Sequence, residues 1–183
     1  LKGLKKFIAK QALKIGMKHR ENKGKFLWKA ADKKVFSTIK ARTGGKIRFF
    51  ISGGSALKKE TAEFFDSIGV TILQGYGMTE AGPVISVNRE NKNVFGTVGS
   101  PLEEVEVKLA ADGEILVRGD NVMPVYYRNE TERREMIIDG WLHTGDIGEL
   151  DEDGFLTITD RKKSLIKTAS GKYISLTHIE DTL

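Results

Sequence analysis

The chain has 183 residues, with 30 Lys/Arg against 25 Asp/Glu, three His and no Cys. That length holds one moderate domain or parts of two. The lack of cysteine excludes a disulfide framework and any Cys-ligated metal, and suits a cytoplasmic protein; the absence of any apolar run of about 18 residues excludes a membrane-spanning apolar helix.

Charge is unevenly spread. Residues 1–50 carry 16 Lys/Arg against two acids, Glu21 and Asp32, and the remainder carries 14 against 23. Such asymmetry points to an anionic partner for the basic half: nucleic acid, anionic lipid, or the acidic half itself. Leu1, Leu4, Ile8, Ala12, Ile15 and His19 fall at helical spacing, with lysines 2, 5, 6, 10, 14 and 18 filling much of the rest. The pattern predicts a helix to about Arg20. It either lies on an anionic membrane surface, peripherally on the inner face, or packs on a larger domain with its lysines solvated. Trp28 lies outside this stripe. Nucleic acid is not expected: lysines heavily outnumber arginines and aromatics are not interleaved as stacking platforms.

Residues 21–25 read as a polar linker. A second helix is predicted from Phe26 to Ala41, with Val35, Phe36 and Ile39 inward and Gly44-Gly45 ending it. Next come a strand over 46–51, the loop Ser52-Gly53-Gly54-Ser55, a helix over 58–68 and a strand from Val70 to Leu73. This β-loop-α-β order predicts parallel strands, with both glycine loops, 52–55 and 74–77, at the strand ends where ligands bind.

From Val84 the pattern changes to short alternating strands with turns at Ala111-Asp112-Gly113 and Asp151 to Gly154. A small antiparallel sheet or barrel is predicted there. Trp141 reads as part of its core, and His143 and His178 as structural, since neither has metal-site spacing. Ser164 to Lys167 and Lys172 to Ile174 read as a hairpin. Thr177-His178-Ile179-Glu180 reads as the start of a helix, and Leu1-Lys2-Gly3 contains no initiator Met. Both ends suggest that the natural chain is longer.

The most informative stretch is Gln74-Gly75-Tyr76-Gly77-Met78-Thr79-Glu80. A hydroxyl followed by a carboxylate can serve a phosphate and a hard divalent cation. The stretch resembles the nucleotide-binding signature of the adenylate-forming superfamily: acyl-CoA synthetases, beetle luciferases and peptide-synthetase adenylation domains. Ser52 to Leu57, Gly113 to Gly119 followed by Tyr126-Tyr127, Trp141 to Gly148, and Asp160-Arg161-Lys162-Lys163 with Ile166-Lys167 and Gly171 resemble further motifs of that family, in order. The likeness covers about residues 46–183. Singly, each motif has a plainer reading: Asp146 as a turn residue, Arg161 as one side of a surface ion pair. Phe49 to Gly54, Pro83 to Asn88 and Thr159 to Lys163 are most similar to long-chain fatty acyl-CoA synthetases.

The resemblance implies an α/β fold: part of a parallel-sheet β-loop-α-β subdomain, a small antiparallel β subdomain, then the start of an α+β C-terminal lid. The corresponding boundaries are 1–87, 88–162 and 163–183. It implies activation of a long-chain fatty acid by ATP with Mg2+ to acyl-AMP, then transfer to coenzyme A. Tyr76 would stack on adenine, with the backbone of Gly53, Gly54 and Ser55 along the ring and Gln74 and Met78 in the same motif. Gly75 and Gly77 would let carboxylate and α-phosphate approach. Thr79 would bind phosphate, Glu80 the metal, and Asp146 and Arg161 the ribose. Lys163 would be the lid hinge, Lys167 would assist thioester formation, and Gly171 would meet coenzyme A.

Two departures stand out. Nothing in residues 1–51 resembles the family's phosphate loop, and the lysine it carries late in the lid would lie beyond residue 183. Ala169-Ser170 replaces a glycine-rich pair and Leu176 stands where proline is common. A non-catalytic nucleotide-binding relic of the fold, or an enzyme for another carboxylic acid, are the alternatives.

Overall fold

The computed structural model describes residues 2–20, 25–124, 136–167 and 173–175. The chain divides into two units, Leu1–Leu73 and Gln74–Leu183.

The first unit opens with helix α1 (Lys2–Arg20), then α2 (Lys25–Ala31), a π-helical turn (Asp32–Phe36) and α3 (Ser37–Ala41). The predicted second helix is thus continuous but widened by one turn in its middle. Its core is Ala12, Ala31, Phe36 and Ile68, with Leu13, Ile15, Trp28, Val35, Phe65 and Val70 packed around them. The apolar stripe expected on α1 is only partly buried: Ile8 is 47% exposed. Small residues decide the packing instead. A Cβ on Gly16 would sit 2.3 Å from the carbonyl oxygen of Ser67, so α1 approaches the end of α4 (Lys59–Ser67) along Ala12 and Gly16. Trp28, outside the predicted stripe, is a core anchor: its ring packs near Phe36 and its Nε1 donates to the Ser67 carbonyl at 3.0 Å.

Strand β1 (Phe49–Ser52), α4 and strand β2 (Thr71–Gly77) follow in the predicted order. Here one expectation changes. β2 does not end at Leu73; it continues through Gln74, Gly75, Tyr76 and Gly77, so this glycine motif is strand and not loop. From Gly75 on it pairs antiparallel with β3 (Val84–Val87), and β3 pairs antiparallel with β4 (Ser100–Pro101).

The second unit is built on an antiparallel sheet. Strands β5 (Val105–Leu109) and β6 (Glu114–Gly119) form a hairpin, and β6 pairs with the long β8 (Trp141–Leu150). On the other side of β8, β7 (Ile137–Ile138) covers its start and β9 (Leu156–Arg161) its end. Ile85, Val98, Val105, Ile115, Val117, Leu142 and Leu156 make the core. Along β8, Leu142, Thr144, Asp146 and Gly148 are buried in strict alternation, as the two-residue period of a strand dictates. A 3-10 turn (Lys162–Ser164) leads to β10 (Leu165–Lys167), which pairs antiparallel with β11 (Tyr173–Ser175), the predicted hairpin.

Candidate active site

In the second unit, three sequence-predicted residues meet. The alternation of β8 carries Asp146 to its buried face, where a carboxylate must find partners. The β8–β9 register sets Arg161 directly opposite it. Arg161 Nε donates to Asp146 Oδ1 at 2.9 Å, and Tyr76 donates its hydroxyl to Asp146 Oδ2 at 2.7 Å. Burial first, and then the Asp146 carboxylate beside it, raise the Tyr76 pKa well above the usual phenol range. Tyr76 is therefore a fixed donor, with its ring half-buried. The Asp146 main-chain N–H donates to Thr144 Oγ1 (3.1 Å), and that hydroxyl donates to the Ile115 carbonyl (2.8 Å). A carboxylate has about four acceptor sites; two are used here, leaving acceptor capacity for further hydroxyls. The Arg161 side chain is 64% exposed.

Gly77 has a structural reason to be glycine. A Cβ there would lie 1.8 Å from the Pro83 carbonyl oxygen, so the close approach is that of the chain entering β3. The register shift between Tyr76 and Gly77 accompanies it. Gln74 accepts from the Asn88 N–H at 2.9 Å through its main-chain oxygen, fixing the start of the motif. Met78 packs against the core, and Thr79 and Glu80 begin a 3-10 turn (Thr79–Ala81) with Thr79 exposed and Glu80 half-buried.

A second cluster escaped the sequence reading. Glu114, at the start of β6, is buried, its side chain only 5% exposed. Its Oε1 accepts the Gly145 N–H at 2.9 Å; its Oε2 faces His143 Nδ1 at 2.8 Å and Lys162 Nζ at 2.6 Å. Lys162 also reaches Asp112 Oδ2 at 2.7 Å. Burial alone would raise the Glu114 pKa, but the hydrogen bonds from Lys162, His143 and Gly145 outweigh it and hold it below the ordinary carboxylate value. The ionised carboxylate only accepts, so His143 presents its protonated Nδ1. The available signal was an acid opening an otherwise apolar run, Glu114-Ile115-Leu116-Val117. His143 is a ligand of this carboxylate, and Trp141 is not core: it is half-exposed, with Lys108 and Arg118 over its ring at 3.9 and 4.5 Å.

The remaining predicted residues lie elsewhere. Gly53, Gly54 and Ser55 form an exposed loop of the first unit, and Ser52 and Gly53 line an open hollow with Phe50, Leu57 and Ile72. Lys163 is exposed in the Lys162–Ser164 turn, and Lys167 ends β10. Gly171, Tyr126-Tyr127 and His178 lie outside the described residues. Among the described residues, no group of three or more His, Cys, Asp or Glu is placed to hold a metal ion.

The sequence profile of the family described as AMP-binding enzyme matches residues 9–127. The chain belongs to the AMP-binding enzyme family. Within it, the chain is 43% identical over 152 residues to long-chain-fatty-acid–CoA ligase FadD15 of Mycobacterium bovis, covering 83% of this chain and 25% of that protein. It is 37% identical over 201 residues to long chain acyl-CoA synthetase 4 of Arabidopsis thaliana, covering 97% and 29%. The chain thus spans about a quarter of the length of these relatives. Among solved structures it is similar to O-succinylbenzoate coenzyme A synthetase of Bacillus subtilis in complex with ATP and magnesium ion (TM-score 0.65, 30% identity, 79% of this chain and 34% of that one). It is also similar to ATP-bound MatB of Rhodopseudomonas palustris (TM-score 0.68, 32% identity, 76% and 30%). The mixed α/β fold is therefore that of adenylate-forming enzymes of this AMP-binding family.

Proposed function

We propose that this chain supplies the nucleotide-binding and hinge-proximal part of a long-chain fatty acid–CoA ligase. The observation that carries the reading is the meeting of Tyr76, Asp146 and Arg161 in the second unit. Paired ribose hydroxyls donate to the spare acceptor sites of Asp146, while Arg161 holds the sugar from the exposed side. The Tyr76 ring gives adenine a face. Gly75 and Gly77 leave room for the reacting carboxylate and α-phosphate, and the Thr79 hydroxyl donates to phosphate.

The carboxylate oxygens of Glu80 fit a magnesium ion, which takes one or two protein carboxylates together with substrate phosphates. Magnesium, when bound, neutralises phosphate charge. The fatty carboxylate attacks the α-phosphate, forming acyl-AMP and releasing pyrophosphate; the coenzyme A thiol then forms the thioester and releases AMP. Two anions must be brought together, so positioning and charge neutralisation do most of the catalysis. Lys163 is the hinge of the lid. Lys167 assists the second step, and Gly171 meets coenzyme A.

The relatives' names favour a long-chain acyl substrate. The solved neighbour named for O-succinylbenzoate supports a second reading, another carboxylic acid on the same site. The test is pyrophosphate release from ATP by the full-length natural protein, with long-chain fatty acids and aromatic acids offered in parallel. Release driven by long-chain acids, followed by thioester on adding coenzyme A, is the expected result. Release driven only by aromatic acids supports the second reading, and no acid-dependent release with any acid contradicts both.

A further inference from the structure

Glu114 lies on the opposite face of β8 from Asp146, yet it is tied to β8 and to the turn that follows β9. Strand alternation explains the geometry. Asp146 and Arg161 are cross-strand partners on one face. Their chain neighbours Gly145 and Lys162 are what Glu114 holds, through Oε1 to the Gly145 N–H and Oε2 to Lys162 Nζ. Gly145 stands at φ +74°, a backbone state that side-chain-bearing residues rarely adopt. The Glu114 carboxylate helps fix that state by accepting its N–H. Asp112 holds Lys162 from a second side, and His143 completes the carboxylate's hydrogen bonds.

We propose that Glu114 is a positioning residue for nucleotide binding. It clamps residue 145 of β8 and residue 162 after β9, and so holds Asp146 and Arg161 at the spacing that receives the ribose. This rests on the proposed ribose role of Asp146. Glu114 touches no nucleotide itself. Its action is through Gly145 and Lys162, and Lys162 is the residue just before the proposed hinge. Buried charge that is fully hydrogen-bonded specifies geometry, whereas removing one partner strands the other.

The experiment is steady-state kinetics of the full-length natural protein and its Glu114→Gln, Lys162→Met and Asp146→Ala variants. Each is measured with ATP and with 2′,3′-dideoxy-ATP, which lacks both ribose hydroxyls. Glu114→Gln keeps the side-chain shape and an oxygen for Gly145, but aims a donor at Lys162. Lys162→Met changes a partly exposed residue and keeps the fold testable without touching the core. Each should raise KM for ATP roughly three- to tenfold, the net scale of one ordinary hydrogen bond, with kcat within roughly a factor of two. With the dideoxy nucleotide the same substitutions should leave KM nearly unchanged, because the contact they position is gone. A purely structural role would raise KM equally for both nucleotides and overturns the proposal. So does an unchanged KM for ATP in both variants while Asp146→Ala raises it. If Asp146→Ala also leaves KM for ATP unchanged, the ribose assignment fails first, and the proposal falls with it.

Discussion

At the scale of single residues, the site is a problem of buried charge. Asp146 and Glu114 are both buried carboxylates of the antiparallel sheet, and each is met by its own set of donors. The Glu114 arrangement has a pH consequence. Its folded pKa is lowered from 4.5, so its contribution to stability is complete above that value and is lost as pH falls through the lower folded value. The gap in melting temperature between the natural protein and Glu114→Gln should therefore hold steady from about pH 7 to about pH 5 and close on further acidification. A gap that persists unchanged at the acid end contradicts the ionised assignment. Asp146, Arg161 and Tyr76 were legible in the sequence because motif order marks them. Glu114 and His143 were not, because their roles depend on the pairing of β6 with β8, which brings together residues 29 apart. Trp141 misled for a related reason: an aromatic in a strand reads as core, and only the register reveals two cations over its ring.

At the scale of elements, alternation and glycine placement were readable, but where a strand stops was not. Gly75 and Gly77 suggest a loop by composition, yet β2 runs through them because the entry to β3 packs against their backbone. Gly77→Ala should destabilise the protein by about 1–3 kcal/mol, as over-packing does, and towards the upper end because the obstacle is the main-chain carbonyl of Pro83. Urea denaturation measures this; a change below about 0.5 kcal/mol, the usual size of a neutral surface substitution, contradicts the strand geometry. The Lys162–Ser164 turn lies between β9 and the β10–β11 hairpin, and Lys163 within it is the proposed hinge. A few terminal residues absorb such rotations. Lys163→Pro fixes φ near −65°, so pyrophosphate release should largely survive while thioester formation from supplied acyl-AMP falls steeply. Equal loss of both half-reactions, or no change in either, removes Lys163 as the pivot.

At the scale of the whole molecule, the sequence separates a basic helical part from an acidic sheet-rich part, and the division into units at Leu73 and Gln74 follows a related line. Among the described residues, no helix is long and apolar enough to cross a membrane. α1 and α2 expose Phe7, Ile8, Met17, Phe26 and Leu27 among their lysines, and peripheral contact with anionic lipid through this face is a proposal set against packing on a larger domain. Replacing Lys10, Lys14 and Lys18 with Gln should weaken binding to phosphatidylglycerol vesicles roughly tenfold or more, since each lysine at such a surface is worth about 1 kcal/mol. Equal binding to neutral phosphatidylcholine contradicts that account. The helical packing was the least legible part: periodicity marks an apolar stripe, but the contact between α1 and α4 is chosen by Gly16 and Ala12, whose small size leaves no periodic signal. The central claim is that Asp146 holds the ribose of ATP. Isothermal titration of ATP into the full-length natural protein and its Asp146→Ala variant tests it most directly. A loss of about 1–3 kcal/mol in binding free energy, the range for deleting a hydrogen bond to a charged group, is the predicted result, and an unchanged affinity contradicts it.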